Sequence, residues 1–300
     1  MSGYSALLSG TVDLHVHAGP SLMARRFDAL EVGRAARRAG MRGLLLKDHY
    51  VPTQDMAALV RRELVRESGE SSPLVYGAIC LNASAGGFSP AAVEAALTAG
   101  ARMVYLPTVT AAHHAAVIDG KERGKLMPTP PIRHRAPVPV PEDLERWDDW
   151  IEIAELIARH DAVLSTGHMD RPTALRLCAS AAKRGVRRFL ATHAMLFEPL
   201  DDGFIAAADA LGMLIEITAL PTVTPGFTLP EFGQPLQRVT GVLDRLGPDR
   251  VVLSSDCGHP EGEMTVAAFG GYLELLWRSG VPEARLRTMA AENPAALIEP

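Results

Sequence analysis

Eight short apolar runs, each followed by a longer stretch of helical periodicity, constrain this chain more than any other feature of its 300 residues. The runs are Thr11–His17, Gly43–His49, Leu74–Leu81, Arg102–Thr108, Ala162–His168, Arg187–His193, Met213–Thr218 and Val251–Asp256. Most are apolar on both faces, as parallel strands covered on two sides must be. The helical patterns are Asp28–Ala39, Thr53–Glu67, Pro90–Ala99, Glu142–Arg159, Pro172–Arg184, Asp201–Leu211, Leu236–Leu246 and Glu263–Arg278. Asp28 and Ser89 are good N-caps, Pro90 suits a first helical position, and Gly40 and Gly100 suit helix ends. A short pair, Glu283–Ala290 and Pro294–Ile298, closes the pattern. Alternation of this kind, with no repeat and no composition break, predicts a single (β/α)8 TIM barrel over residues 1–300. A doubly wound open sheet would want a glycine-rich phosphate turn after its first strand, and Gly19-Pro20-Ser21 is not one.

Composition removes several alternatives. With 47% hydrophobic residues the chain can build a core of that size. A formal net charge of −5 offers no footprint for nucleic acid. The apolar runs are far shorter than the roughly 20 residues of a membrane span. Cys80, Cys178 and Cys257 are too few for a disulfide framework and lack zinc-site spacing. Met1–Gly10 has no basic region before its apolar stretch, so no secretory signal is expected and the default compartment is the cytoplasm.

Chemistry is signalled by where the histidines fall. His15 and His17 close the first run two residues apart, a spacing that turns both imidazoles to one face of a strand. His168 closes the fifth run, His193 the sixth and Asp256 the eighth. In a barrel these five side chains share the C-terminal rim, where active sites sit. Burying several polar rings without partners is costly. A cation removes that cost by drawing neutral imidazoles and a carboxylate into its coordination shell.

In the order and strand placement of these residues the chain resembles the amidohydrolase superfamily of metal-dependent barrel hydrolases. His15-x-His17 matches the family's first-strand pair, His168 and His193 its fifth- and sixth-strand histidines, and Asp256 its eighth-strand aspartate. Glu292-Asn293-Pro294-Ala295-Ala296-Leu297 is similar to its closing segment. The resemblance implies hydrolysis of a small-molecule amide, cyclic amide or lactone by metal-activated hydroxide, usually on one or two zinc ions. It also implies that His15, His17 and Asp256 hold the first ion and that Asp256 shuttles the proton. The chemistry agrees, since a divalent ion lowers the pKa of bound water from about 15.7 towards about 7.

The fourth strand departs from that pattern. Two-metal relatives carry a bridging carboxylated lysine or glutamate there, whereas this strand ends Val104-Tyr105-Leu106-Pro107-Thr108. The second strand offers a substitute, because Lys47 lies on the same face as Leu45 and His49. A lysine ending an apolar strand is costly to bury charged, and a neutral amine can take up carbon dioxide as a carbamate ligand. The other readings of Lys47 are a substrate or transition-state contact and an ion pair with Asp48 or another rim acid. His49 is read as a substrate contact or structural support, with ligation a third role. Without a bridging Lys47 the site holds one ion, and His193 polarises substrate or water.

Two connections are long and rich in proline, Val109–Pro141 and Ala219–Pro235, and are expected to wall the substrate pocket. Within the first, Arg133 and Arg135, flanking His134, are candidates to grip an anionic substrate group, against the alternative of a solvated basic turn. His113 and His114 stand at its start, unassigned. Glu216, ending the seventh strand, either orients a ligating imidazole or pairs with a neighbour among the helices. Asp170 reads as an N-cap, and Cys257 is expected on the face opposite Asp256. The broad apolar face around Trp147 and Trp150 is expected in the core, with a homo-oligomer contact as the alternative. Rival functions are a metal-dependent lyase such as a decarboxylase, a phosphoesterase and a non-catalytic barrel scaffold. The expected partner is a small molecule, not nucleic acid or membrane.

Overall fold

Each apolar run forms a parallel strand, and the strands follow one another around the sheet in sequence order. They are β1 (Val12–Val16), β2 (Gly43–Leu46), β3 (Leu74–Cys80), β4 (Ala101–Tyr105), β5 (Val163–Ser165), β6 (Arg188–Ala191), β7 (Leu214–Thr218) and β8 (Val251–Ser254). The structure, a computed structural model, describes residues 4–68, 73–119, 132, 136–224 and 234–299. The ring is closed between β8 and β1 by a parallel bridge of Val16 with Cys257. There the His17 N–H donates to the Cys257 carbonyl at 2.9 Å and the Asp256 N–H to the His15 carbonyl at 2.8 Å. Asp13 fastens the same seam, its Oδ1 accepting from Ser255 N–H (2.9 Å) and His15 N–H (3.1 Å). Burial pushes the Asp13 carboxyl up to about 6, against the pull of these hydrogen bonds.

Eight helices cover the sheet: α1 (Ala29–Arg38), α2 (Gln54–Ser68), α3 (Pro90–Thr98), α4 (Asp148–Arg159), α5 (Arg171–Lys183), α6 (Asp202–Ala210), α7 (Leu236–Leu246) and α8 (Thr265–Arg278). The cap residues act as such. Asp28 and Glu31 form a capping box on α1, and Ser89, Asp170 and Asp201 accept from the first turns of α3, α5 and α6. The continuous helix expected from Glu142 does not form. A 3-10 turn at Leu144–Arg146, capped by Asp143, precedes an extended Trp147, and α4 starts at Asp148. Trp147 packs on Phe88 at 4.6 Å between ring centroids, and Trp150 is fully buried with its indole N–H on Ser180 Oγ. The first long connection is also less irregular than its sequence suggests, holding helical turns at Ala112–His114 and Ala115–Asp119.

Strand alternation divides the core. Leu44 and Leu46 face the helices, whereas Leu45 joins Val12, Leu14, Tyr105, Leu190 and Val252 inside the barrel. The floor is a C-terminal helix, Asn293–Ile298, whose Ala295, Leu297 and Ile298 pack into that interior. Arg188 at the start of β6 donates to the Ala296 and Leu297 carbonyls, and Arg102 in β4 to the Ile298 carbonyl. With the bottom plugged, the opposite end is the mouth. Among the described residues no helix is long and apolar enough to cross a membrane.

All the strands but β7 end earlier than their apolar runs, and the residues that follow line that mouth. After β5 the chain passes flush against the end of β4, with His168 N–H on the Pro107 carbonyl at 3.0 Å. Gly167 makes this approach at φ +59, and a Cβ there would lie 2.2 Å from the Leu106 carbonyl oxygen. Gly167→Ala should therefore destabilise the protein by about 3 kcal/mol or more. Thermal unfolding measures this, and a melting temperature equal to that of the parent would contradict the assignment.

Candidate metal centre

Three ligand atoms converge above the β1–β8 seam: Nε2 of His15, Nε2 of His17 and a carboxylate oxygen of Asp256, all within 4.8 Å of one another. Asp256 Oδ1 lies 2.9 Å from the first and 3.3 Å from the second. All three residues are buried. Simple alternation does not explain the geometry of β1. Val12 and Leu14 face the interior, yet His15, the very next residue, also turns into the mouth. A register shift against β2 between Asp13 and Val16 accommodates this. Asp256 is set by a left-handed backbone at φ 54, a conformation aspartate tolerates better than most residues. Gly258 follows at φ +138, where a Cβ would collide with the His17 carbonyl at 2.0 Å.

The remaining ring nitrogens are committed to the protein. His15 Nδ1 lies 3.1 and 3.2 Å from the two Glu216 oxygens, and His17 Nδ1–H donates to the Lys47 carbonyl at 2.9 Å. These bonds keep a proton on each Nδ1 and aim both Nε2 atoms at one point, the usual support of a metal-binding imidazole. Glu216 also accepts from the His193 N–H (2.7 Å) and the Ser254 hydroxyl (2.5 Å). Of its two expected roles, the structure shows the one that orients an imidazole.

Charge follows from this arrangement. Burial would raise the Asp256 and Glu216 carboxyls, but His15 overrides it and holds both below the usual carboxylate range. Burial alone would lower His15. Asp256 and Glu216 outweigh burial and the nearby Lys47, and lift the imidazolium to about 9. His17 goes the other way, well down, through burial and then Arg25. A divalent cation would displace the proton that His15 holds towards Asp256, and the resulting neutral imidazoles beside an ionised carboxylate form a donor set that suits it.

Lys47 projects into the mouth, its Nζ 2.9 Å from His15 Nε2 and 4.6 Å from the Tyr105 ring centroid. It does not pair with Asp48, whose carboxylate accepts from the Ser21 hydroxyl and from the Tyr50 and Val51 N–H groups. His49 stands beside His17 at 5.0 Å between centroids, with Nδ1 2.9 Å from Thr108 Oγ1. Asn82 holds this corner, donating to the His49 carbonyl and to Thr108 Oγ1 while accepting from Thr108 and Thr110. Burial keeps His49 and His168 well below the ordinary histidine value and His193 at about 3.

His168 and His193 reach the same mouth but are not part of the three-ligand group. His168 Nδ1 lies 2.7 Å from Nδ1 of His114, and the two rings stack at 4.8 Å. The His193 ring is 4.7 Å from His168 and 5.8 Å from His15, and its Nδ1 is buried without a hydrogen-bond partner among the described residues. Phe197 packs edge-on against His114, His168 and His193. Sequence reasoning left His114 unassigned and passed over Phe197 and Arg25. For His114 the signal was its place shortly after a strand end; the other two sit in loops without periodicity. Arg133 and Arg135, with His134, lie outside the described residues. Cys257 is buried, its thiol turned to the Ser255 carbonyl.

Residues 10–216 match a protein family described as a family of unknown function (DUF6282). No curated protein sequence matches the chain. Solved structures share the fold over nearly its whole length. An amidohydrolase from Pseudomonas aeruginosa is 14% identical with a TM-score of 0.62, covering 98% of this chain and 96% of that one. The probable dipeptidase PvdM from the same organism is 12% identical at 0.58, covering 98% and 95%. An amidohydrolase from Burkholderia multivorans is 15% identical at 0.57, covering 96% and 98%. The fold is thus that of the amidohydrolase barrels.

The carboxylates around His15 give stability a direction with pH. Its folded value of about 9 exceeds the ordinary 6.5, so the contribution is complete below about 6.5 and is lost as pH rises through 9. Chelator-treated protein should unfold at progressively lower denaturant concentration between pH 7 and 9. His15→Gln should flatten that dependence, and an equal slope in the variant would refute it.

Proposed function

The chain belongs to the DUF6282 family, and we propose that it is a metal-dependent hydrolase of a small-molecule amide, cyclic amide or lactone. The observation that carries this reading is the convergence of two tautomer-fixed imidazoles on one ionised carboxylate at the barrel mouth. Neighbours in fold described as amidohydrolases and a probable dipeptidase support it. His15, His17 and Asp256 would hold the ion, and their nitrogen and oxygen donors favour zinc. When bound, a divalent ion there supplies an activated water near neutral pH and polarises the scissile carbonyl.

The chain's own groups do the rest. Asp256 stays ionised at the reacting centre, takes a proton from the attacking water and returns it to the leaving group. Glu216 holds the His15 ring in place through both carboxylate oxygens. His49, on the wall beside His17, contacts substrate, and His193 offers a ring nitrogen free of protein partners. The converging trio favours a single ion.

One observation favours a second reading. Lys47 has no carboxylate ion-pair partner among the described residues and stands among His15, His49, His168 and His193, whose titration it influences. As a carbamate it would become an anionic ligand, with His168 and His193 completing a place for a second ion. Carbon-13 NMR after incubation with labelled bicarbonate separates the readings, a carbamate resonance lost in Lys47→Arg supporting two ions.

Elemental analysis of zinc-replete protein should find bound zinc that is lost in a His15→Ala, His17→Ala double variant. Protein that takes up no metal would sink the hydrolase reading. Asp256→Asn should lower turnover about 10²- to 10⁴-fold while far-ultraviolet circular dichroism stays unchanged. Retained turnover would remove Asp256 as the shuttle. Release of carbon dioxide in place of incorporation of oxygen from labelled water would reassign the chemistry to a lyase.

A further inference from the structure

Arg25 lies in the connection between β1 and α1, at the mouth end of the barrel. The base of this connection is closed by Gly19 N–H on the Phe27 carbonyl (2.9 Å) and Ala29 N–H on the Gly19 carbonyl (2.8 Å). Its middle is tied to the end of β2 by the Ser21 hydroxyl on Asp48. The guanidinium thereby reaches the turn after Asp256 with weak contacts only. Nη1 reaches the Gly258 carbonyl at 3.5 Å, Nη2 the Met23 sulfur at 3.7 Å, and Nε is enclosed with no acceptor.

Arginines elsewhere are treated differently. Arg171, Arg184 and Arg188 each have a carboxylate at 2.7 to 2.8 Å. Arg25 has no ion-pair partner among the described residues. The two carboxylates whose field it feels, Asp48 and Asp256, are engaged elsewhere, the first by Ser21 and two backbone N–H groups, the second by His15 and His17. A part-buried guanidinium with unfilled donors, one of them fully enclosed, is costly, and an incoming anion removes the cost. Its planar fork fits a carboxylate in two parallel hydrogen bonds. Proximity to the reacting centre follows from Gly258, whose carbonyl Arg25 reaches at 3.5 Å and whose backbone lies flush against His17, two residues after Asp256.

We infer that Arg25 receives a carboxylate of the substrate, so that the hydrolysed amide, cyclic amide or lactone is an acid anchored beside His17. This rests on the hydrolase reading for the identity of the bond cleaved, but the anion site stands on its own contacts.

Calorimetric titration of the full chain with succinate, neutral succinamide and inorganic phosphate tests it, in zinc-loaded and chelator-treated protein. Succinate should bind both forms and succinamide about tenfold more weakly or less. Arg25→Gln should weaken succinate about 10- to 100-fold with zinc content and melting temperature unchanged, and Arg25→Lys should recover part of the loss. Undetectable succinate binding, equal affinity in Arg25→Gln, or equal affinity for succinamide would each overturn the proposal. Phosphate binding more tightly than succinate would overturn the carboxylate assignment. Arg25-dependent succinate binding in a protein that takes up no metal would leave the anion site standing and remove the hydrolase reading.

Discussion

The carboxylate of Glu216 is fully buried, held ionised, and shared among donors from three other parts of the barrel. It accepts from the His15 ring on β1, the His193 backbone after β6 and the Ser254 hydroxyl on β8, while sitting on β7 itself. A buried anion is tolerated only where its lone pairs are filled, so each of these contacts is held in place by the cost of losing it. One side chain thus sets the aim of a metal ligand, the turn that carries His193 and the packing of two neighbouring strands. Through His15 this arrangement bears on the convergence with His17 and Asp256.

Around this anion the mouth is divided by charge. On the seam side, carboxylates and the raised imidazolium of His15 balance one another. Across from it, His49, His114, His168 and His193 are kept neutral by burial and by the nearby Lys47. Lys47 stands between the two halves, and Arg25 lies beside His17. A low-dielectric cleft with its charges so placed strengthens every polar contact made inside it.

Much of this was legible in the sequence, for identifiable reasons. The barrel could be read because strand and helix periods are local, and because Asp28, Ser89, Asp170 and Asp201 mark helix starts. The strand-end histidines could be read because a polar ring ending an apolar run has few structural uses. The direction of Glu216 was ambiguous because alternation alone cannot say which face of β7 is interior. The inward turn of both Leu14 and His15 was hidden, since it depends on a register shift against β2. Arg25, His114 and Phe197 act through loops whose course is set by distant partners such as Asp48 and His168.

The β1–β8 seam has a further consequence, for the order of events in the cell. His15 and His17 leave the ribosome early, whereas Asp256, Ser254 and the floor helix at Asn293–Ile298 follow only after the other strands. Until β8 docks, the two imidazoles lack the carboxylate that faces them, and the barrel interior lacks its plug. An ion held by this trio would therefore be captured late in biosynthesis, coupled to ring closure rather than to the appearance of the His-x-His pair. A nascent chain stalled before β8 would expose half of the ligand trio and an unfilled apolar interior together.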